Sequence, residues 1–201
     1  MRINKWFVAV AFSSFFSSGA AVASGPSFED GLKALANGDF KTVLSHWVPL
    51  GKQGHVFAQH HLGQMYANGN GVLENHETAV EWLTLASGQG FAEAQYDLGG
   101  MYARGEGVPS NPKAALSLLT LSAEQGFAEA QASLGLMYYI GNGVNADYMS
   151  AYKWFSLATH NGDEIAAGLR DNVAKKMTAV QISQAQKMTN TCLQSDYSQC
   201  K

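Results

Sequence analysis

Apolar residues recur along this chain at the spacing of an α-helix that buries one face. Between about residues 92 and 103, Ala94, Leu98 and Tyr102 stand four positions apart. Such a stripe predicts an amphipathic helix, because residues three and four apart lie on the same side of a helix. A Gly-Glu-Gly-Val segment then ends the pattern, and a second apolar segment follows it. The pattern therefore predicts two helices joined by a short loop.

The same two-helix pattern returns every 36 residues, in three copies. Met-Tyr pairs, Leu-Gly pairs and Gly-x-Gly-Val loops keep this step. A fixed period of this length indicates stacked repeats, since one helix pair cannot bury its own apolar face. We place the repeats at residues 55–90, 91–126 and 127–162. The recurring positions predict the inter-repeat core, which includes Met65, Met101 and Met137 with the tyrosine after each, and the aligned residues Trp82, Leu118 and Trp154.

Local signals mark the ends of the second helix of each repeat, which we call helix B. An asparagine or aspartate precedes it, and such side chains cap helix N-termini. A glycine follows it, which favours a left-handed helix end. Glycines in the first helix, helix A, predict close approach of neighbouring helices. The capping residues are Asn75, Asn111 and Asp147, the end glycines are Gly54, Gly90, Gly126 and Gly162, and the helix-A glycines are Gly63, Gly99 and Gly135.

The repeated pattern Ala-Gln-x-x-Leu-Gly-x-Met-Tyr-x-x-Gly-x-Gly-Val resembles the Sel1-like repeat family. This resemblance implies an all-α fold, a right-handed α-solenoid of helix–turn–helix repeats related to tetratricopeptide solenoids. It also implies a non-catalytic adaptor that binds another protein or an extended peptide, without a cofactor or a metal. Some cysteine-rich relatives have been linked to β-lactam hydrolysis, but they carry a cysteine pair in each repeat, which this chain lacks.

The segments outside the three repeats are predicted to cap the solenoid. Residues 24–54 indicate a divergent N-terminal hairpin with a turn at residues 37–39. Residues 163–190 indicate C-terminal capping helices, and Thr178 and Gln181 have the spacing of a capping box at the start of the last one. Terminal units of repeat proteins are often atypical in this way.

The first 23 residues have the pattern of a secretory signal peptide. Arg2 and Lys5 precede an apolar run, and residues 21–23 (Ala-Val-Ala) supply a small-x-small cleavage site. The apolar run is too short to span a membrane. We therefore predict a monomeric protein of the periplasm, or a secreted one, without a membrane segment after cleavage. A formal net charge of −3 argues against nucleic acid as a partner, because its binding requires a basic face.

Cys192 and Cys200 are the only cysteines, and both lie in the C-terminal tail, residues 191–201. In an oxidising compartment such a pair is expected to form a disulfide. Loop-closure entropy predicts that this bridge contributes about 2–3 kcal/mol, mainly by tying down the tail. The alternative is a redox-active pair, but the Cys-x-x-Cys spacing typical of such pairs is absent.

Helix-A positions that differ between the repeats define the candidate binding surface. Offsets of 3, 4, 7 and 10 residues place them on one helical face. A face released from packing is free to vary, and helix A commonly lines the concave groove of a solenoid. Tyrosine, arginine and histidine suit protein recognition, whereas a merely solvated face is the alternative. The predicted partner-binding residues are His60, His61, Gln64, Tyr96, Asp97, Arg104 and Tyr139.

Other functions remain open from the sequence. Ser110 and Lys113 match the Ser-x-x-Lys element of penicillin-recognising serine enzymes, which makes a cell-wall hydrolase of the β-lactamase type the enzymatic alternative. No Ser-Asp-Asn or Lys-Thr-Gly element accompanies the pair, and helix capping also explains it. Groove tyrosines and carboxylates would suit a peptidoglycan or glycan binder. His60 and His61, with His55 nearby, lack the i, i+4 spacing of a helical zinc site.

Overall fold

The computed structural model describes residues 25–200, and the predicted signal peptide, residues 1–23, lies outside them. In this part of the chain the protein is all-α, with ten helices and no strand. None of these helices is long and apolar enough to cross a membrane. The helices are α1 (Phe28–Ala36), α2 (Phe40–Lys52), α3 (Val56–Asn68), α4 (His76–Gly88), α5 (Ala92–Arg104), α6 (Pro112–Ala123), α7 (Ala128–Ile140), α8 (Tyr148–His160), α9 (Glu164–Ala174) and α10 (Ala179–Gln194).

From α1 to α9, each helix packs against its neighbours in sequence, which is the arrangement of a repeat solenoid. The A helices of the three repeats are α3, α5 and α7, and the B helices are α4, α6 and α8. Each pair packs closely because helix A presents a glycine to helix B. A Cβ on Gly63 would lie 2.6 Å from Leu83 Cγ, and one on Gly135 would lie 2.8 Å from Phe155 Cδ1. The predicted role of these glycines in helix packing is confirmed.

The predicted helix ends are also confirmed. Asn75, Asn111 and Asp147 are the N-caps of α4, α6 and α8, and each side chain accepts a hydrogen bond from a backbone N–H of the first turn. Thr178 and Gln181 form the capping box of α10. The glycines that follow the B helices have φ between 84° and 99°, the left-handed conformation predicted for them.

A ladder of side-chain amides joins consecutive repeats. Each A helix buries one glutamine, which accepts a hydrogen bond from the amide at the end of its own helix B. The three distances, from Gln89 to Gln59, from Gln125 to Gln95 and from Asn161 to Gln131, are 2.6, 2.8 and 2.9 Å. Each buried glutamine also donates to a carbonyl near the end of the helix that precedes its own. Because every buried amide is paired, the ladder fixes neighbouring repeats without unsatisfied polar groups.

The predicted inter-repeat core is also found. Met65, Met101 and Met137 are buried, and Trp154 lies in the same apolar cluster as Met137. Trp82 packs against the N-terminal cluster. The aligned methionine and tryptophan positions therefore serve packing, as their repetition indicated.

The C-terminal end departs from the regular order of the stack. Helix α10 packs against α8, the helix B of the third repeat. It continues to Gln194, about four residues beyond the predicted end of the capping helices. The predicted disulfide is present between Cys192 and Cys200, both buried, and it folds the tail back onto the cluster around Trp154. This bridge indicates an oxidising environment for the protein.

Candidate functional site

A groove of about 590 Å³ runs along the three A helices α3, α5 and α7. We call it the A-helix groove; the residues that define it are given below. This volume lies within the roughly 300–1,000 Å³ typical of ligand sites. Its sides include Gln64, Tyr96, Asp97, Arg104, Leu136 and Ile140. Four of the seven residues predicted from the sequence are in this set, and His60, His61 and Tyr139 are not.

The carboxylate of Asp97 is held from two sides by residues of the first repeat. His60 Nε2 lies 2.9 Å from Asp97 Oδ2, and Gln64 Nε2 donates to the same oxygen at 3.1 Å. The Asp97 side chain keeps 27% of its surface exposed. Two polar contacts to one oxygen fix the orientation of a carboxylate and leave its other oxygen available. Asp97 is therefore a positioned anionic group inside the groove.

His60 is buried, with 6% of its surface exposed, so the expectation of an exposed binding residue is wrong for it. Its ring packs edge-on against Phe91, with centroids 5.0 Å apart. At the equivalent position of the next repeat, Tyr96 packs on Phe127 at 5.4 Å. This position faces the following repeat, and in both repeats its ring packs on the aligned phenylalanine of that repeat although the residue itself differs. His60 supports Asp97 from beneath the surface.

His61, in α3, packs against the N-terminal cap. Its ring stacks on Trp47 at 5.1 Å and on Phe28 at 5.8 Å. Burial, and secondarily the neighbouring His60, lowers the pKa of His61. His55 caps α3 by accepting a hydrogen bond from the backbone N–H of residue 58. In residues 25–200 no group of three or more His, Cys, Asp or Glu side chains could hold a metal ion.

Arg104 forms a two-contact ion pair at the edge of the groove. Its Nε donates to Glu106 Oε1 at 2.7 Å, and its Nη2 lies 2.7 Å from Glu106 Oε2. This hydrogen-bonded pair lowers the pKa of Glu106 and raises that of Arg104. The guanidinium lies over Gly100, where a Cβ would come within 2.9 Å of Nη1. Glu106 therefore balances the charge of Arg104, and no lysine or arginine in residues 25–200 pairs with Asp97.

The groove changes from polar to aliphatic along the solenoid. At one repeat position the side chains are Gln64, then Gly100, then Leu136, and at the position four residues later they are Asn68, Arg104 and Ile140. Leu136 is 46% exposed and Ile140 58% exposed. Sequence reasoning missed both as site residues. Their alignment with Gln64 and Arg104 at a step of 36 residues was the signal that could have found them.

Tyr139, near the end of α7, packs against the C-terminal cap. Its ring lies 5.8 Å from that of Tyr148, and its hydroxyl accepts a hydrogen bond from Lys176 Nζ at 2.6 Å. The Lys176 ammonium also lies 4.7 Å from the centre of the Tyr139 ring. Tyr139 is therefore held by its neighbours at the end of α7, outside the A-helix groove.

Ser110, the nucleophile required by the enzymatic alternative, is engaged with the backbone. Its hydroxyl donates to the carbonyl of Ala103 at 3.2 Å, and Asn111 is the residue that caps α6. Lys113 lies in the exposed first turn of that helix. The contacts of Ser110 thus tie the loop to the end of α5.

A second cavity, of about 310 Å³, lies between α8, α10 and the tail. Lys153 lines it with 4% of its surface exposed. Its ammonium donates to the carbonyl of Cys200 and lies 4.3 Å from the centre of the Trp154 ring. Burial lowers the pKa of Lys153 to about 8, and the negative charges of Asp147 and Glu124 offset this only in part.

Lys153 predicts a rise in stability at alkaline pH. Between about pH 8 and 10.5, the unfolded lysine still holds the proton that the folded one releases. The unfolded state then binds more protons, so the free energy of unfolding increases with pH, by up to about 3 kcal/mol. Urea unfolding of the protein and of Lys153→Met at pH 7 and pH 10.5 measures this. The stability of the protein relative to the variant should rise by that amount, and a pH-independent difference would contradict the prediction.

The repeats match a known family over more than half of the chain. The model of the Sel1 repeat matches residues 56–91, 92–127 and 128–163, one residue later than the repeats drawn from the sequence. No match was found among curated proteins.

Solved structures of Sel1-type proteins are similar to this one. The Sel1 repeat protein from Oxalobacter formigenes is 30% identical with a TM-score of 0.68, over 72% of this chain and 59% of that one. A protective antigen of uropathogenic Escherichia coli strains with an SLR fold is 28% identical with a TM-score of 0.60, over 83% and 44%. Helicobacter pylori cysteine rich protein B shares the fold at 20% identity and a TM-score of 0.51, over 70% and 95%.

This chain thus spans about three fifths of the first of these proteins and less than half of the second. The repeat matches, the helix order and the similar structures agree with one another. The chain belongs to the Sel1 repeat family.

Proposed function

We propose that this protein is a non-catalytic adaptor of the bacterial periplasm, or a secreted one, which binds another protein or an extended peptide in the A-helix groove. Sel1 repeat proteins are generally protein-interaction scaffolds. The signal-peptide pattern of residues 1–23 and the Cys192–Cys200 bridge both support export. On this proposal the protein acts as a monomer.

The observation that carries the proposal is a contrast between two sets of residues: the packing residues that support the groove, which we call its frame, and the side chains that line it. The frame repeats, with the same glycines, methionines and amide ladder in each unit. The lining differs from repeat to repeat and combines a positioned carboxylate, Asp97, with exposed aliphatic side chains. A rigid scaffold that presents different chemistry at equivalent positions suits recognition of one irregular partner.

A displayed library of random dodecapeptides tests the proposal. Peptides are selected on the purified protein and then measured against two variants. Gly100→Trp places a large side chain in the groove, and the nearest atoms to a Cβ at this position belong to the flexible end of Arg104. Ser117→Trp adds the same bulk on the exposed side of α6 and serves as the matched control.

We expect the selected peptides to bind the protein and Ser117→Trp equally and to lose tenfold or more in affinity for Gly100→Trp. Selection of no peptide, or equal binding to Gly100→Trp, would contradict the proposal. Circular dichroism of both variants establishes that the helices are intact.

A further inference from the structure

We infer that the A-helix groove is specific for a segment that carries a lysine or arginine within two to four positions of an aliphatic residue. Asp97 receives the cation, and Leu136 and Ile140 receive the aliphatic side chain. This inference rests on the proposed function of the groove and adds the chemical class of its partner. It is carried by the charges and exposures of the lining.

The balance of charges in the groove favours a cation at Asp97. The charged side chains that line the groove are Asp97, Glu106 and Arg104, with His76 at the edge. Arg104 is already held by both oxygens of Glu106. His76 lies 3.5 Å from the carboxylate of Glu74. One carboxylate, that of Asp97, is thus in excess among the groups that line the groove.

Asp97 is also prepared to receive a cation. His60 and Gln64 both contact Oδ2, so the oxygen Oδ1 remains for a ligand. Partial burial places the carboxylate where an ion pair is stronger than it is in water. Because the two partners hold the side chain, binding would require little further ordering of it. An ammonium or guanidinium is the group that such a fixed, acceptor-only oxygen selects.

The other half of the specificity comes from the third repeat. Leu136 and Ile140 are one helical turn apart on α7 and about half exposed, and together they form an apolar surface in the groove that Asp97 also lines. The A helices α5 and α7 of consecutive repeats line the same groove, and Tyr96 of α5 packs on Phe127 at the start of α7. Helices in side-chain contact lie roughly 8–10 Å apart. An extended chain advances about 3.3–3.6 Å per residue, so a separation of two to four residues spans from α5 to α7.

The dodecapeptide selection described above also tests this inference, through the sequences of peptides that depend on the groove. We expect enrichment of lysine or arginine within two to four positions of leucine, isoleucine or valine. For a synthetic selected peptide, replacing its basic residue by norleucine should weaken binding to the protein tenfold or more. This measurement uses the unaltered protein and does not depend on the folding of any variant.

The Asp97→Asn variant then tests whether Asp97 is the residue that binds the cation of the peptide. It keeps the shape of the side chain, and we expect it to bind the basic peptide tenfold or more weakly and to make the norleucine replacement nearly neutral. Glu129→Gln removes one negative charge from the exposed first turn of α7 and is the matched control, which should bind like the protein.

The outcomes separate this inference from the proposed function. The inference is overturned if the peptides that depend on the groove lack basic residues, whether or not they are acidic. It is also overturned if the norleucine replacement has no effect on binding. Either result leaves the proposed function standing. A basic peptide that binds Asp97→Asn as tightly as the protein would also overturn the inference. If no selected peptide depends on the groove, both fail.

Discussion

Replacing Gly107 by alanine should lower the free energy of unfolding by about 3 kcal/mol or more. Gly107 is the second glycine of the loop after α5, and its φ is +69°, a conformation that costs an alanine roughly 1–2 kcal/mol. A Cβ there would also lie 2.3 Å from the carbonyl oxygen of His76, the first residue of α4. Since that atom is backbone, the loop and α4 would have to move apart.

Urea unfolding followed by circular dichroism measures this loss. Gly168→Ala is the matched control, because Gly168 is exposed on α9 and a Cβ there meets nothing within 4 Å. Alanine at that helical position should stabilise the protein by about 0.5–1 kcal/mol. A loss below about 1 kcal/mol for Gly107→Ala would show that the loop does not hold neighbouring repeats together.

Replacing Trp47 by alanine should lower the free energy of unfolding by about 3–5 kcal/mol. Trp47 is fully buried in the N-terminal cap, where its ring stacks on Phe28 and His61. Its indole N–H also donates to the carbonyl of Phe28 at 3.2 Å, so the substitution leaves a cavity and removes this hydrogen bond. The midpoint and slope of urea unfolding, followed at 222 nm, measure the effect.

Leu73→Ala is the control for Trp47→Ala. Leu73 is a large apolar residue in the loop before α4, and it is 89% exposed. Its replacement should change the free energy of unfolding by less than about 0.5 kcal/mol. If Trp47→Ala costs no more than Leu73→Ala, the N-terminal hairpin does not unfold together with the repeats.

The candidate site was only partly predictable. Gln64, Tyr96, Asp97 and Arg104 line the groove as expected from their variation between repeats. The same criterion failed for His60, because a position can vary between repeats and still be buried against the following repeat. Leu136 shares its repeat position with Gln64, and Ile140 shares that of Arg104, yet neither was named as a site residue. An aliphatic residue on an amphipathic helix resembles core when its exposure is unknown.

The Gly-x-Gly-Val loop was also only partly predictable from the sequence. Its repetition and its glycines predict that helix A ends there. The sequence does not show why the second glycine is required. The reason is that an added Cβ there would collide with the start of the preceding helix B, 31 residues earlier. Only the packed structure brings Gly107 to His76 and Gly143 to Pro112.

By itself the sequence determined the repeat, the positions of the helices, their caps and the disulfide. These features depend on contacts within a few residues, or on a period that is written directly in the chain. The tertiary structure decided which variable side chains face the groove, that His60 and Gln64 hold Asp97, and that α10 packs on α8. The contacts of Asp97 join residues more than thirty positions apart, and α9 lies between α8 and α10 in the chain. Helix stacking brings such residues together, and local side-chain preferences do not.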